Sequence, residues 1–216
     1  MTKNCALAGG ILLCLLTCLL SGCAVGNKYA YDNVTGRLLA GGETTIAVAV
    51  HDQRPYVVSG EKKPVYIGEQ RGGFGNPFDV ETASQRPMAE DMCKAIVAAL
   101  SGSGFRVTPV VVSATTPADQ LVQQLVSTQA AKLVVLTLLE WYSDTASNIG
   151  MNYEVKLSVY DAAGKLLAET SAKGEDTVEG SAWNPPKVAK VKVPQFFMSK
   201  MEELFNRDAI KKALEG

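Results

Sequence analysis

His51 and Asp52 stand side by side at the end of an apolar run, and His51 is the one imidazole in the chain. A His–carboxylate pair can activate a serine or cysteine nucleophile. No Gly-x-Ser-x-Gly elbow accompanies it, and one histidine without a cysteine cluster does not make the usual zinc site. His51 is therefore read as a partly exposed strand-end residue, with Asp52 and Arg54 forming a local salt bridge or turn cap. Asp79 and Glu81 are an acidic pair of the kind glycosidases use, though two carboxylates alone specify little. Gly72-Gly73-Phe74-Gly75-Asn76 is glycine-rich but lacks the Gly-Lys-Ser/Thr ending and the following helix of a phosphate loop. No catalytic residue, cofactor or metal is expected from these positions.

The cysteines point elsewhere. Lys3 precedes Ala6–Leu20, 15 residues that are apolar apart from Gly9, Gly10 and Thr17. A membrane-spanning helix needs about 20 residues and a signal-peptide core about 7–15, so the length favours a cleaved leader. The stretch ends in Leu20-Ser21-Gly22-Cys23, which resembles a bacterial lipobox. Cleavage is expected between Gly22 and Cys23, with Cys23 becoming a diacylglyceryl, palmitate-bearing anchor. One acyl chain holds a protein only marginally, and a triacylated cysteine exceeds that. Ala24, rather than aspartate, after the cysteine directs the expectation to the outer membrane, facing the periplasm. Cys5, Cys14 and Cys18 leave with the leader, so Cys93 is the one thiol left, and no internal disulfide can form. Its neighbours Met92, Ala95 and Ile96 make it a small buried hydrophobe.

Removing 22 residues leaves 194, enough for one domain with a substantial core. The remaining 20 basic and 22 acidic residues show no basic excess, which argues against a nucleic-acid partner. The organisation expected is a leader over 1–22, a lipidated tether over 23–43 and one domain over 44–216.

Within that domain Thr44–Val50 reads as a strand buried on both faces, stopped by Pro55. Gln53–Val80 is irregular, with at most a short edge strand at Val65–Ile67. Ser84 and Pro87 open a helix whose face is Met88, Met92, Ala95, Ile96, Ala99 and Leu100. Phe105–Val112 is a second strand, and Pro109 in its middle argues for an edge strand or a bulge. Thr116-Pro117 starts a short second helix. Leu133–Leu139 is the central strand and leads into a polar turn through Asn148. Met151–Val159 alternates cleanly, turns at Asp161–Lys165 and returns as Leu166–Ala172. Pro194 opens a last helix with Phe197, Met201, Leu204 and Phe205 on its apolar face. The fold expected is α/β (α+β): a single domain, a mixed sheet of about five strands with a C-terminal antiparallel hairpin, and helices mostly on one face.

Taken together, the lipobox, the strand ending in Asp52-Gln53-Arg54, the helix leading to Gly104-Phe105-Arg106-Val107, the strand running into Trp141-Tyr142-Ser143-Asp144, the hairpin over Tyr153–Lys165 and the amphipathic C-terminal helix resemble the YajG-type bacterial lipoproteins. The resemblance implies an outer-membrane lipid anchor and a periplasmic α/β domain, and it supplies no reaction. The topology is also similar to envelope assembly-accessory lipoproteins and the N-terminal domain of TolB-like proteins. The insertion at 56–78 departs from the family. The function expected is therefore non-enzymatic binding of an envelope protein partner or wall material. The partner-binding residues would be Tyr56, Tyr66, Phe74, Phe78, Trp141 and Trp183, since exposed aromatics anchor interfaces. A periplasmic hydrolase built on His51 or Asp79/Glu81, and a small-molecule carrier with an apolar pocket, are the alternatives.

Overall fold

A computed structural model describes residues 26–216 of the chain. Gly22 and Cys23 lie outside the described residues. Among the described residues no helix is long and apolar enough to cross a membrane.

The longest strand organises the rest. β6 (Lys132–Thr145) pairs antiparallel with β7 (Ile149–Asp161), which pairs with β8 (Leu166–Val178). The other edge of β6 is shared by two strands. β2 (Thr45–Asp52) runs parallel to its first half, from Ile46 opposite Lys132 to Asp52 opposite Leu138. β3 (Tyr66–Arg71) runs parallel to its last residues, from Gly68 opposite Ser143 to Gln70 opposite Thr145. The sheet therefore forks along β6. One branch continues through β5 (Arg106–Pro109), the other through β4 (Pro77–Thr82) to the short β1 (Lys28–Tyr29). The result is a mixed α+β single domain, as read from the sequence.

Alternation on the strands explains the layers. Ile46, Val48 and Val50 of β2 and Val134, Leu136 and Leu138 of β6 face the large core. That core is closed by α2 (Met88–Gly102), α4 (Pro185–Phe205) and α5 (Asp208–Glu215). Ala47, Ala49, Leu133 and Val135 face the opposite side, where α3 (Ala118–Val126) seats Leu121 and Leu125. The two alanines leave room for that helix to approach. Burial on both faces removes any need for polar alternation, which is why both strands read as continuous apolar runs. Three helices against one makes the mostly one-sided arrangement expected.

Several expectations are corrected. The sheet has eight strands rather than about five, because β3 and β4 form a hairpin within the stretch read as irregular and β1 pairs with β4 from within the stretch read as tether. Tyr66, Ile67 and Val80 are the only buried hydrophobic side chains of β3 and β4, so period-two alternation is too short to read. Backbone pairing with β6 holds the hairpin instead. Gly68 is required there: a Cβ would lie 2.1 Å from the Ser143 carbonyl oxygen. A single turn, α1 (Pro55–Val58), precedes it. Ser84 does not cap α2; the helix begins after Pro87, and the Ser84 hydroxyl bonds the Asp91 carboxylate at 2.6 Å. Thr116 accepts from the Ser113 N–H, and Pro117 is the residue before α3. Pairing of β5 stops at Pro109, and this strand does lie at the sheet edge.

Pro194 lies inside α4 rather than opening it; the helix starts at Pro185, with Asn184 Oδ1 accepting from the Lys187 N–H at 3.1 Å. Ala189, Val193, Phe197 and Met201 bury one residue per turn, a stripe obscured by the lysines between. The expected tether over 23–43 is packed from Asn27 onward. Tyr29 and Tyr31 are wholly buried, the Tyr31 hydroxyl accepting from Trp141 Nε1 at 2.8 Å.

Candidate binding face

The fork creates a local problem for the backbone. Gln53 N–H still donates to the Leu138 carbonyl, and β3 begins pairing at Ser143, so residues 139–142 have no strand on that edge. Side chains fill the gap. Arg54, wholly buried, donates from Nη1 to the carbonyls of Tyr66 (2.9 Å) and Trp141 (3.2 Å). Its Nε and Nη2 hold the two Asp52 oxygens at 2.8 and 2.7 Å. Burial alone would lower the Arg54 pKa, but the Asp52 contacts raise it on balance. The Tyr56 hydroxyl donates to Glu140 Oε1 at 2.5 Å, and that same oxygen accepts from the Trp141 N–H at 2.8 Å. Burial, opposed by Arg54 and reinforced by Glu140, pushes the Tyr56 hydroxyl up.

Above this brace the outer face of the sheet opens into a hollow of about 550 Å³. It is lined by Leu139, Glu140, Tyr142, Glu154 and Lys173, among others. Leu139 is exposed where the β6–β7 register shifts, so an apolar group lies within a polar rim. Lys173 and Glu154 pair across the strands at 2.7 Å. Tyr142 leans on Tyr66, ring centroids 6.4 Å apart, and donates to Glu69 at 3.2 Å. Burial, and then the Glu69 charge, push the Tyr142 hydroxyl up to about 12. At neutral pH it is a fixed donor. The hollow thus offers an aromatic edge, a small apolar floor and paired charges on rigid strands, which suits recognition of a polar surface.

The residues singled out in the sequence do not form one patch. Tyr56 is half-buried at the fork, and Tyr66 lies beneath it in edge contact at 5.7 Å, 4 % exposed. Trp141 is corrected: its side chain points to the helices and is 0 % exposed, so it presents nothing to a partner. Phe74 is fully exposed at the β3–β4 tip, and Trp183 is 97 % exposed just before α4. Phe78 is half-buried beside Gly72. The Asp52–Arg54 ion pair is the one read from the sequence; the bridge Arg54 makes to the Tyr66 and Trp141 carbonyls, and the place of Tyr142 in the hollow, are not among those expectations. The signal for Tyr142 is the polar break Glu140–Tyr142 after an apolar strand; for the carbonyl contacts of Arg54 there is none beyond its place two residues after Asp52.

The groups considered for catalysis are engaged elsewhere. His51 is buried, 4 % exposed, rather than partly exposed, because the 113–116 segment covers the strand end. Its Nε2 accepts from Gln53 Nε2 at 2.8 Å. Asp79 pairs with Lys62 at 2.7 Å and Glu81 accepts from Gln85. Cys93 is buried with its Sγ 3.6 Å from the Val48 carbonyl, and burial pushes the thiol up to about 12.

His51 provides a pH test. Burial lowers its pKa below the ordinary 6.5. The unfolded chain therefore binds a proton that the folded chain does not, and stability falls as pH drops below about 6.5. Urea denaturation between pH 7 and pH 5.5 should show that slope in the wild type and a flatter one in His51→Gln. Parallel slopes would contradict the burial argument.

No family model and no curated protein matches the chain. Solved structures do. The chain is similar to protein XCC0632 from Xanthomonas campestris, of family DUF330, at 14 % identity and TM-score 0.50, covering 83 % of this chain and 92 % of that one. The PelC dodecamer subunit from Paraburkholderia phytofirmans gives 13 % identity and TM-score 0.43 over 82 % and 94 %. Lipoprotein GNA1162 from Neisseria meningitidis gives 13 % and 0.28 over 72 % and 98 %. The first likeness is one of fold; the other two overlap less. The fold is thus one seen in bacterial proteins, and function must be argued from this chain's own residues.

Proposed function

We propose that this chain is a lipid-anchored, non-enzymatic protein of the bacterial envelope, of the YajG type, facing the periplasm from the outer membrane. It binds a protein partner through the hollow at the sheet fork. The anchor reading rests on Leu20–Cys23. The binding reading rests on one observation: the hollow is built on a backbone braced at Trp141 by Arg54 and Glu140, with exposed Leu139 and the Tyr142 hydroxyl set between paired charges. A surface held this rigidly loses little side-chain entropy on association.

The test places a photoreactive residue at Tyr142 or Leu139 in the anchored protein in cells, with Gln124 on the exposed side of α3 as control. A discrete adduct from the first two positions, lost in Lys173→Glu and absent from the control, supports the reading. Equal labelling at all three positions would reject it. Fractionation of Cys23→Ser checks the anchor separately: the protein should leave the membrane fraction.

A further inference from the structure

The exposed aromatics Phe74 and Trp183 lie away from the fork, and their placement has its own logic. The C-terminal ends of β3, β6 and β8 lie together, since Gln70 pairs Thr145, Thr145 pairs Ile149, and Ile149 pairs Val178. The hairpin tip at 72–76 and the segment 179–184 therefore project from one end of the sheet. The chain enters the domain at that same end. Gly26 packs against the Asp79 backbone, and the Asn27 side chain donates to the Pro186 carbonyl at 2.8 Å. Phe74 is five residues from Asp79, and Trp183 three from Pro186.

We infer that this end of the domain, with Phe74, Trp183, Lys187 and Lys190, seats against the surface of the membrane that holds the anchor. The inference rests on the proposed lipidation of Cys23. Two residues, Ala24 and Val25, separate Cys23 from Gly26, three chain steps that span about 10 Å at most. A domain held that closely does not stand off from the headgroups, so whatever projects at its entry point meets them. What projects is suited to the task. A fully exposed phenylalanine and a nearly fully exposed tryptophan are amphipathic and apolar anchors of the kind that settle at headgroup depth. Lys187, Lys190 and Val191 are all exposed on the first turns of α4. Lysines there can extend their stems along the surface and place their charges among lipid phosphates. Lys28, also exposed, stands two residues from Gly26. Glu179 and Asp79, exposed carboxylates at this end, are offset by Lys192 at 3.8 Å and by Lys62 at 2.7 Å. Trp183 is 97 % exposed, and burying its ring in a membrane interface removes apolar surface from water without unpacking a buried group.

The chain has two tryptophans, Trp141 buried and Trp183 exposed, so fluorescence can read the contact. The lipidated full-length protein is reconstituted into vesicles of phosphatidylethanolamine and phosphatidylglycerol, and Trp183→Phe supplies the Trp141 background. The expected result is a blue-shifted Trp183 emission that is lost when the vesicles contain lipids brominated near the glycerol. Phe74→Ser and Lys187→Glu/Lys190→Glu should restore that emission while the protein still floats with the vesicles. Flotation with Trp183 emission unshifted and unquenched would overturn the contact and leave the anchor standing. Cys23→Ser floating as well as the wild type, with Trp183 still quenched, would support the contact and reject the anchor. Shielding of Trp183 that appears only when a protein partner is added would overturn the membrane assignment.

Discussion

Arg54→Met is expected to cost about 3–5 kcal/mol of stability, the range for removing one partner of a buried ion pair. In a domain of this size that corresponds to a midpoint lowered by about 10 °C. The reason lies in the fork. β2 ends opposite Leu138 and β3 begins opposite Ser143, so the Trp141 carbonyl on that edge has no strand donor. Arg54 supplies one, holds the Tyr66 carbonyl on the incoming branch, and neutralises Asp52 with a two-point contact. Methionine fills most of the volume but leaves a buried carboxylate and two carbonyls without these partners. Lysine keeps the charge yet lacks the planar fork, so Arg54→Lys should recover only part of the loss. Asp52→Leu/Arg54→Met removes both charges and should be more stable than either single change, because no lone charge remains. Urea denaturation of the four variants checks this. A loss below about 1 kcal/mol for Arg54→Met would mean that the fork does not depend on the brace.

Trp141→Ala is expected to cost a similar amount, about 3–5 kcal/mol, by a different route. The same residue whose carbonyl meets Arg54 sends its ring to the other side of the sheet. There it lies edge-on to Phe197 at 5.6 Å and against Phe196 at 6.0 Å and Tyr153 at 6.2 Å. Truncation leaves a cavity bounded by α4, and it orphans the buried Tyr31 hydroxyl that accepts from the indole. Tyr31 and Tyr29 fasten the entering segment to the core, so that segment should loosen before the rest. Limited proteolysis should cut Trp141→Ala between residues 32 and 42 faster than wild type under conditions where the sheet stays intact. Trp141→Phe keeps most of the volume and should lose less stability, but it should show the same bias in cleavage. Uniform cleavage across the chain would indicate a global loss rather than a released segment.

The two effects meet in one strand, and they show why the aromatic reading of the sequence was only partly useful. Tyrosine and tryptophan serve as core residues when a hydroxyl or indole N–H finds a partner, and as surface anchors when it does not. Trp141 and Trp183 look alike in the sequence. The first has Tyr31, 110 residues away, to accept its N–H, and the second stands in solvent.

The elements that need no distant partner were legible without coordinates. The central strand Leu133–Leu139, the alternation from Met151 to Val159, the turn at Asp161–Lys165 and the faces of α2 and α3 follow from hydrophobic period and turn chemistry over a few residues. The mixed α+β class follows from their order, and the expectation of an anchor follows from the apolar length before Leu20–Cys23. Tertiary structure alone decided the rest. The hairpin at 66–82 is held by backbone pairing to β6, which leaves no apolar pattern to read. The packing of Tyr29 and Tyr31 depends on a cavity formed by other elements. Above all, the role of Arg54 exists only because two strands share one edge of β6, and a gap in a ladder is a property of pairing between segments rather than of any segment by itself.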